Sequence, residues 1–570
     1  MDGCYIFTLP TGKTRLMRHI LPFLLLSLFG MVNSANGQQQ GILSGNLEMN
    51  GNFFMRDSLI GADNTPQYDN QLFGADAWLQ LNYSYLGFDI GVRFDMFNNS
   101  NLLNPLDSYS DQGIGRWYVH KKINRLDIQG GYIYDQIGSG IIFRSFEQRP
   151  LLIDNALFGV MLGYDITDDW QIKAFSGRQK QLFDLYGATI RGAAIDGYLL
   201  LGSEDKPISL APGFGVVSRG YDDEAINNVV EAVSTYTAQD RFDPQYNSYA
   251  FSLYNTLSTG GFSWYVEGAY KTKDIYNDPL AERVLFNGEV TQGKLVNKPG
   301  YVVYSSLSYA GSGLGIVAEV KRTESFTFRA DPFVQLNRGL VNFLPPMTRV
   351  NTFRLTARYQ AATQELGEMA YQLDVRYKFN KQWSANINFS NITDLNQQLL
   401  YREIYTEVLF KPNRTWQILA GIQRQQYNQE LYEVKPGVPL LETITPYMEF
   451  LYKFSRRKAI RAELQLMSTD QDYGSWLFGL AEFTMAPHWT FTVSDMFNFD
   501  PKKKENSGTL KPGEKEKAIH FPRFDVFYTY RSNRFSLSYV KQVEGVVCTG
   551  GICRLEPAFS GVKVTVNSTF

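Results

Sequence analysis

The sequence predicts an all-β protein: a large antiparallel transmembrane β-barrel of about 24–26 strands, with short periplasmic turns and long extracellular loops. Three observations carry this. Period-two alternation of apolar and polar residues recurs through almost the whole 570-residue chain without interleaved helices. Aromatic residues make up 15%, with 35 Tyr and 40 Phe, while mean hydropathy is only -0.25. That pairing suits a wall whose lipid-facing residues alternate with polar lumen residues, with aromatics at both interfaces. The chain also ends in a strand with one oily and one wet face. Val562, Val564, Val566 and Phe570 share one parity, and Lys563, Thr565, Asn567 and Thr569 the other.

In chain order, Lys13, Arg15 and Arg18 precede the apolar run Ile20–Phe29, and Ser34, Ala35 and Gly37 follow it. This is the basic, apolar and small-residue order of a secretory signal peptide, so residues 1–37 are expected to be removed, after Ala35 or Gly37. The absence of a Cys after the apolar run argues against a lipoprotein. A start at Met17 would leave Cys4 outside the protein. No later segment approaches the ~18 apolar residues of a membrane-spanning helix. Residues 38–570 therefore read as a single barrel domain.

The strands follow. Phe73, Ala75, Ala77, Leu79, Leu81, Tyr83 and Tyr85 alternate with Asp76, Trp78, Gln80, Asn82 and Ser84. After a tight Leu86-Gly87 turn, Phe88, Ile90, Val92, Phe94 and Met96 alternate with Asp89, Arg93 and Asp95. The same pattern returns in 371–379, 383–389 and 460–466. Segments of about ten residues match a tilted strand crossing a bilayer. Short connections such as 85–87, 121–124, 380–382, 486–488 and 531–533 alternate with long ones at 56–70, 98–111, 222–247, 274–297, 427–440 and 499–519. Counting back from the last strand places the long ones outside. The strand count comes to about 25, and single-chain bacterial barrels have even numbers, so 24 or 26 is expected within a range of about 18–26. The doubtful stretch is Thr323–Leu366, where Pro345-Pro346 and 335–343 break the alternation. No plug domain precedes the first strand. A barrel this wide leaks unless filled, so inward loops near 141–155 and 323–366 are expected to fill the lumen. Ile226, Val229, Val230 and Val233 fall at helical spacing inside the 222–247 loop.

The densest polar cluster is 138–155. Gly138 and Gly140 permit close backbone approach, and Arg144, Glu147, Arg149 and Asp154 can form an ionic network, Arg offering a planar fork to carboxylates. The network reads either as a lumen gate or as a brace for an inward loop. Lumen-facing charges are of both signs (Asp89, Arg93, Asp95, Asp374, Arg376, Lys378, Arg461, Glu463), whereas an ion-selective pore favours rings of one sign. Cys548 and Cys553 bracket Thr-Gly-Gly-Ile, and in an exported protein they are expected to form a disulfide; the pair alone is too few ligands for a metal. Lys502–Lys504 and the lysines of 511–517 lie in an expected extracellular loop that is solvated or touches lipopolysaccharide. The acidic loops holding Asp63 and Asp69, or Asp107 and Asp111, have no specific Ca²⁺ spacing. Phe570 at the lipid boundary is the kind of barrel-closing signal that the barrel-insertion machinery reads.

Gly-Ser-Gly-x-x-Phe-Arg-x-Phe-Glu-x-Arg at 138–149, then Asp154-Asn155-Ala156, resembles a family of uncharacterised outer-membrane β-barrel proteins of the Bacteroidota. Gly41–Asn46, 362–368 and Val547–Arg554 resemble it too. The resemblance spans nearly the whole chain after residue 40. It implies a full-length barrel in the bacterial outer membrane, and it brings no activity and no binding residues.

Two functions are expected in order. The first is a channel or transporter-like barrel for a hydrophilic or amphipathic solute. The alternative is a non-conducting barrel subunit of an outer-membrane protein assembly, secretion or surface-protein complex. An enzyme stands behind both, because only four His occur and His19 leaves with the signal peptide, so a His-based dyad is poorly served. No cofactor or metal is implied. The formal net charge of -2 argues against nucleic acid. The expected partners are outer-membrane lipid and lipopolysaccharide, the insertion machinery, and other outer-membrane proteins or surface lipoproteins.

Overall fold

The computed structural model describes residues 41–570 apart from 204–205, 286–287, 337, 434, 436, 505–507, 510–516 and 550–551. The expected signal peptide at 1–37 lies outside the described residues. The compact unit Leu43–Phe570 is a closed antiparallel barrel of 24 strands, each paired with its sequence neighbours. Asp184–Gly197 and Leu199–Ser203 are two halves of one strand, since both pair with Lys206–Gly220.

The first strand, Ile42–Phe54, and the last, Phe559–Thr569, close the ring, in register from Asn46↔Thr569 to Phe54↔Gly561. One residue further, Gly45 and Phe570 exchange both backbone hydrogen bonds, at 2.9 and 3.0 Å. A closed ring leaves no edge to pair with another chain. Gly45 is required there. A Cβ at this position would stand 2.7 Å from the Phe570 ring and 2.9 Å from the Gln80 carbonyl oxygen.

Alternation sets the two faces of the wall. Phe88, Ile90, Tyr371, Leu373, Ile387 and Leu464 are exposed on the outside, while Trp78, Arg93, Asp95 and Gln465, of opposite parity, are buried. At one end the strands turn tightly, as at Leu86-Gly87, both at positive φ, and at 124–125, 260–261, 312–313 and 531–532. The other end carries the long connections. One expected loop there is not a loop. Phe262–Val284 and Val290–Gly311 continue past the barrel as a paired ribbon, in register to Val284↔Val290. Pairing satisfies the backbone of this stretch, and bulges at 271–274 and 278–282 disguise its alternation in the sequence. In the 222–247 connection the expected helix forms over Asp223–Ser234, capped by the Asp222 carboxylate, which accepts from Ala225 N at 3.0 Å. Ile226, Val229 and Val233 are buried and Val230 is exposed.

The doubtful stretch resolves in the same way. Leu314–Glu324 pairs directly with Gly367–Lys378, from Leu314↔Tyr377 to Glu324↔Gly367. Residues 325–366 therefore contribute no strand to the wall, and the count is even. Their apolar side chains Phe326, Phe328, Val341, Met347 and Leu355 join one buried cluster with Ile190, Val217, Ala370, Met467 and Val540 of the inner wall. Ile137, Ile141, Ile142 and Phe143, from the segment 134–156, enter the same cluster. These wall residues lie in the long-loop half of their strands. Inward polar residues differ accordingly: the Lys321 side chain near the long-loop end is 0% exposed, and that of Arg376 near the short-turn end is 73% exposed. The barrel is packed in its long-loop half and open in the other.

The seam gives a direct prediction. Gly45→Val forces the Phe570 ring and a backbone carbonyl apart, an overpacking cost of about 1–3 kcal/mol. Phe570→Ala removes the ring and should make Gly45→Val milder. Urea unfolding of the refolded barrel should show the two changes to be non-additive.

Candidate functional site

The inward polar cluster is built on Arg93, in the middle of Phe88–Ser100. Its side chain is 1% exposed. Nε donates to Asp95 Oδ1 at 2.6 Å, Nη1 to Glu147 Oε1 at 2.5 Å and Nη2 to Asp154 Oδ2 at 2.7 Å. Lys180 also donates to Asp154, and the Tyr134 hydroxyl donates to Asp154 Oδ1 at 2.5 Å. Arg149 joins Glu147 at 2.9 Å to Glu48 at 2.6 Å and lies over the Trp78 ring. Burial alone would raise the Asp154 carboxyl, but Lys180 and Arg93 beside it hold it down at about 2. The network ties 134–156 to three strands: Ile42–Phe54, Phe88–Ser100 and Trp170–Gln181.

Three of the four residues expected in this network are therefore together: Glu147, Arg149 and Asp154. Arg144 is not among them. Its guanidinium lies 5.0 Å from the Phe146 ring and 4.3 Å from the Phe343 ring, with no carboxylate bonded to it among the described residues. Burial pushes its pKa down. The alternation of 143–154 is too irregular to show which way Arg144 points. The central residue, Arg93, was visible only as one lumen-facing charge among several. Lys180 and Glu48 carry no sequence signal beyond parity.

The same segment reaches another strand of the wall. Ser139 donates from its backbone N at 2.9 Å and from its hydroxyl at 2.5 Å to Glu267 Oε2 of Phe262–Val284. Gly138, at φ +56°, makes this approach possible, since a Cβ there would lie 2.8 Å from the carboxylate.

The longer segment, 325–366, is held by its backbone. Gln179 donates to the Leu340 carbonyl, Arg219 to Arg329 O at 3.0 Å, Lys271 to Thr327 O at 2.5 Å, and Lys321 to Pro345 O. Gln423 donates to Thr356 O at 3.0 Å and Gln425 to Tyr359 O, while Leu355 N donates to Gln465 Oε1 at 2.7 Å. Each of these side chains projects inward from a wall strand. The cations among them each face a carboxylate. Asp274 accepts from Arg219 at 2.6 Å and Lys271 at 2.8 Å, and Glu368 lies 2.8 Å from Lys321. The two inserted segments also bond each other, Arg144 N to Val341 O at 3.0 Å and Phe343 N to Gly140 O at 2.9 Å.

The remaining sequence candidates are dispersed. His120 bonds Asp127 at 2.9 Å, His488 bonds the Thr529 carbonyl at 2.8 Å and His520 bonds Asp495 at 2.5 Å, each at a separate place. Cys548 and Cys553 face each other in register across a small hairpin, Gly545–Thr549 with Ile552–Glu556; their side chains lie outside the described set. Lys503-Lys504 pairs with Gly508-Thr509 in another small hairpin. Among the described residues no cluster of three or more His, Cys, Asp or Glu could hold a metal ion.

The model of a family of unknown function, DUF6029, matches residues 17–570, and the chain belongs to that family. No curated protein matches it. Among solved structures the chain is similar to the outer membrane transporter YddB from Escherichia coli, at 7% identity and a TM-score of 0.39, covering 92% of this chain and 81% of that one. It is similar to the ferric enterobactin receptor PfeA from Pseudomonas aeruginosa, at 10% identity and a TM-score of 0.42, covering 94% and 82%. It is also similar to the P pilus usher PapC translocation pore, at 10% identity and a TM-score of 0.36, covering 93% and 99%.

Arg93→Met would leave Asp95, Glu147 and Asp154 without their shared cation, and removing one partner of a buried ion pair costs about 3–5 kcal/mol. Arg149→Met, at the edge of the network and 20% exposed, should cost about 1 kcal/mol. Chemical unfolding of both variants checks the order; equal losses would contradict a network centred on Arg93.

Proposed function

We propose that this DUF6029 protein resides in a bacterial outer membrane as a transporter-like barrel for a small hydrophilic or amphipathic solute, capped in its long-loop half. The observation that carries the reading is the outer face combined with the half-open interior. Outward aromatics crowd the short-turn end: Trp383 stacks on Phe410 at 4.2 Å, Trp489 meets Tyr528 at 4.7 Å, and Tyr377 meets Phe379 at 4.8 Å. Towards the long-loop end the outward face turns polar, with Gln426 bonded to Glu442 at 2.6 Å and His520 to Asp495. An apolar band between an aromatic girdle and a polar rim is what a bilayer requires of a barrel. Outer-membrane lipid would meet the band, lipopolysaccharide the long loops, and the insertion machinery Phe570. A Bacteroidota source, implied by the sequence resemblance, belongs to the same reading.

The hollow half supports a solute path, since bracing alone does not need a polar-lined space. The cap argues that this path is shut at rest. Leaving one buried backbone group unsatisfied costs about 1–3 kcal/mol. Releasing the bonds from Gln179, Arg219, Lys271, Lys321, Gln423, Gln425 and Gln465 together would reach on the order of 10 kcal/mol. That rivals the whole stability of a typical domain, so the cap does not leave by thermal fluctuation. The same rigidity supports a second reading: a non-conducting barrel that serves as a subunit of an outer-membrane assembly, secretion or surface-protein complex.

Planar-bilayer recordings separate the two. The unaltered protein should give little steady conductance, and Gln423→Leu with Gln425→Leu, which removes two of the seven wall anchors, at 356 and 359, should raise the frequency of brief openings. Silence of both, with specific proteins co-purifying in mild detergent, would replace the transporter reading with the second. Large steady conductance of the unaltered protein would contradict the cap.

A further inference from the structure

Beside the inserted segment, along one side of the interior, lies a cavity of about 310 Å³. Its wall is formed by four consecutive strands, from Ser475–Met485 to Asn533–Gln542, and its roof includes Arg354 of the inserted segment. Four cations line it, Arg354, Arg523, Arg534 and Lys541, against two carboxylates, Glu482 and Asp525. The pairings are uneven. Lys541 is taken by Asp57 at 2.7 Å, Arg523 by Asp525 at 2.9 Å, and Glu482 by Arg461 at 3.3 Å. Neither Arg354 nor Arg534 is hydrogen-bonded or ion-paired to a carboxylate among the described residues, although the Glu556 carboxylate attracts Arg354 while Arg358 and Arg523 oppose it. Both are exposed to the interior space, and Arg534 lies 4.6 Å from the Phe527 ring.

We infer that this cavity binds a small organic anion with an apolar body, held through its phosphate or carboxylate by Arg354 and Arg534. The inference rests on the solute-barrel reading and names the chemical class of the solute. Two guanidiniums without a bonded carboxylate, lining one half-open cavity, attract an anion, because protein walls focus the field. Their planar donors suit a two-oxygen acceptor. Leu480 and Phe527 supply the apolar side of the same space. Its volume falls in the range of about 300–1,000 Å³ usual for small-molecule sites. Because Arg354 belongs to the cap, an anion bound here touches both the fixed wall and the segment that must move for passage.

Phenyl phosphate, a soluble anion with an aromatic body, is the probe, titrated calorimetrically into the full-length protein in nanodiscs. Saturable binding is expected, displaced by inorganic phosphate and not by benzyl alcohol. Arg354→Gln and Arg534→Gln should each weaken it about tenfold or more, and Arg125→Gln, at the exposed short-turn rim, should leave it unchanged. Absence of saturable binding, equally tight benzyl alcohol, or full affinity in both variants would overturn the site. Displacement by inorganic phosphate is measured on the unaltered protein and does not depend on the variants folding. Openings of the Gln423→Leu, Gln425→Leu protein without phenyl phosphate binding would refute this site alone. Silence in the bilayer with intact binding would refute passage and leave the site standing.

Discussion

Irregular backbone can be buried inside a barrel only if every amide and carbonyl finds a partner, and this requirement organises the interior of the protein. Residues 325–366 leave the wall after Glu324 and return at Gly367. Between these points they have almost no regular pairing of their own. The wall supplies the missing partners through long polar side chains: Gln179, Lys271, Lys321, Gln423 and Gln425 reach carbonyls, and Gln465 accepts an amide. In hydrocarbon such a segment would be untenable. Within a closed ring of strands it is stable, because the ring has already satisfied its own backbone and can turn its inward side chains to the guest.

The buried charges follow from the same requirement. A lysine that donates to a carbonyl in a dry interior still needs a counter-charge, so Lys271 shares Asp274 with Arg219, and Lys321 sits beside Glu368. The mixed signs along the lumen, which look unselective as a pore lining, are local ion pairs, some holding a guest segment, as at Arg93, and some joining wall residues only, as at Arg461 with Glu449, Glu463 and Glu482. The Arg93 network holds 134–156. Where no guest segment lies, in the short-turn half, inward charges pair with wall neighbours and stay exposed, as Arg376 does with Asp374. Arg354 stands on the inserted segment, and Arg534 near the short-turn end of the wall.

Most of the wall is legible in the sequence, because strand alternation is a period-two signal and a bilayer-facing barrel repeats it on every strand. Phe88, Ile90, Tyr371, Leu373, Ile387 and Leu464 all face the side their parity predicts. The final strand closes on the first, and Phe570 packs over Gly45. Bulges hide part of the pattern: 274–297 reads as a loop and is a paired ribbon. The guest segments are harder. Their positions depend on contacts between residues far apart in the chain, such as Leu355 with Gln465 and Arg144 with Val341, and no local period encodes these. The sequence shows only that 323–366 fails to alternate. It shows Arg144, Glu147, Arg149 and Asp154 as a cluster, but not that Arg144 turns away to Phe146 and Phe343 while Arg93 takes the central place.

The central claim is that 325–366 is a fixed part of the interior and closes the long-loop half. Amide hydrogen exchange of the membrane-embedded protein tests it most directly. The amides of Phe326, Val341 and Leu355, bonded to Glu365 O, Phe328 O and Gln465 Oε1, should exchange as slowly as those of the wall strands Leu314–Glu324 and Gly367–Lys378. Exchange at the rate of the exposed 101–108 connection would contradict a fixed cap and leave the lumen without its closure.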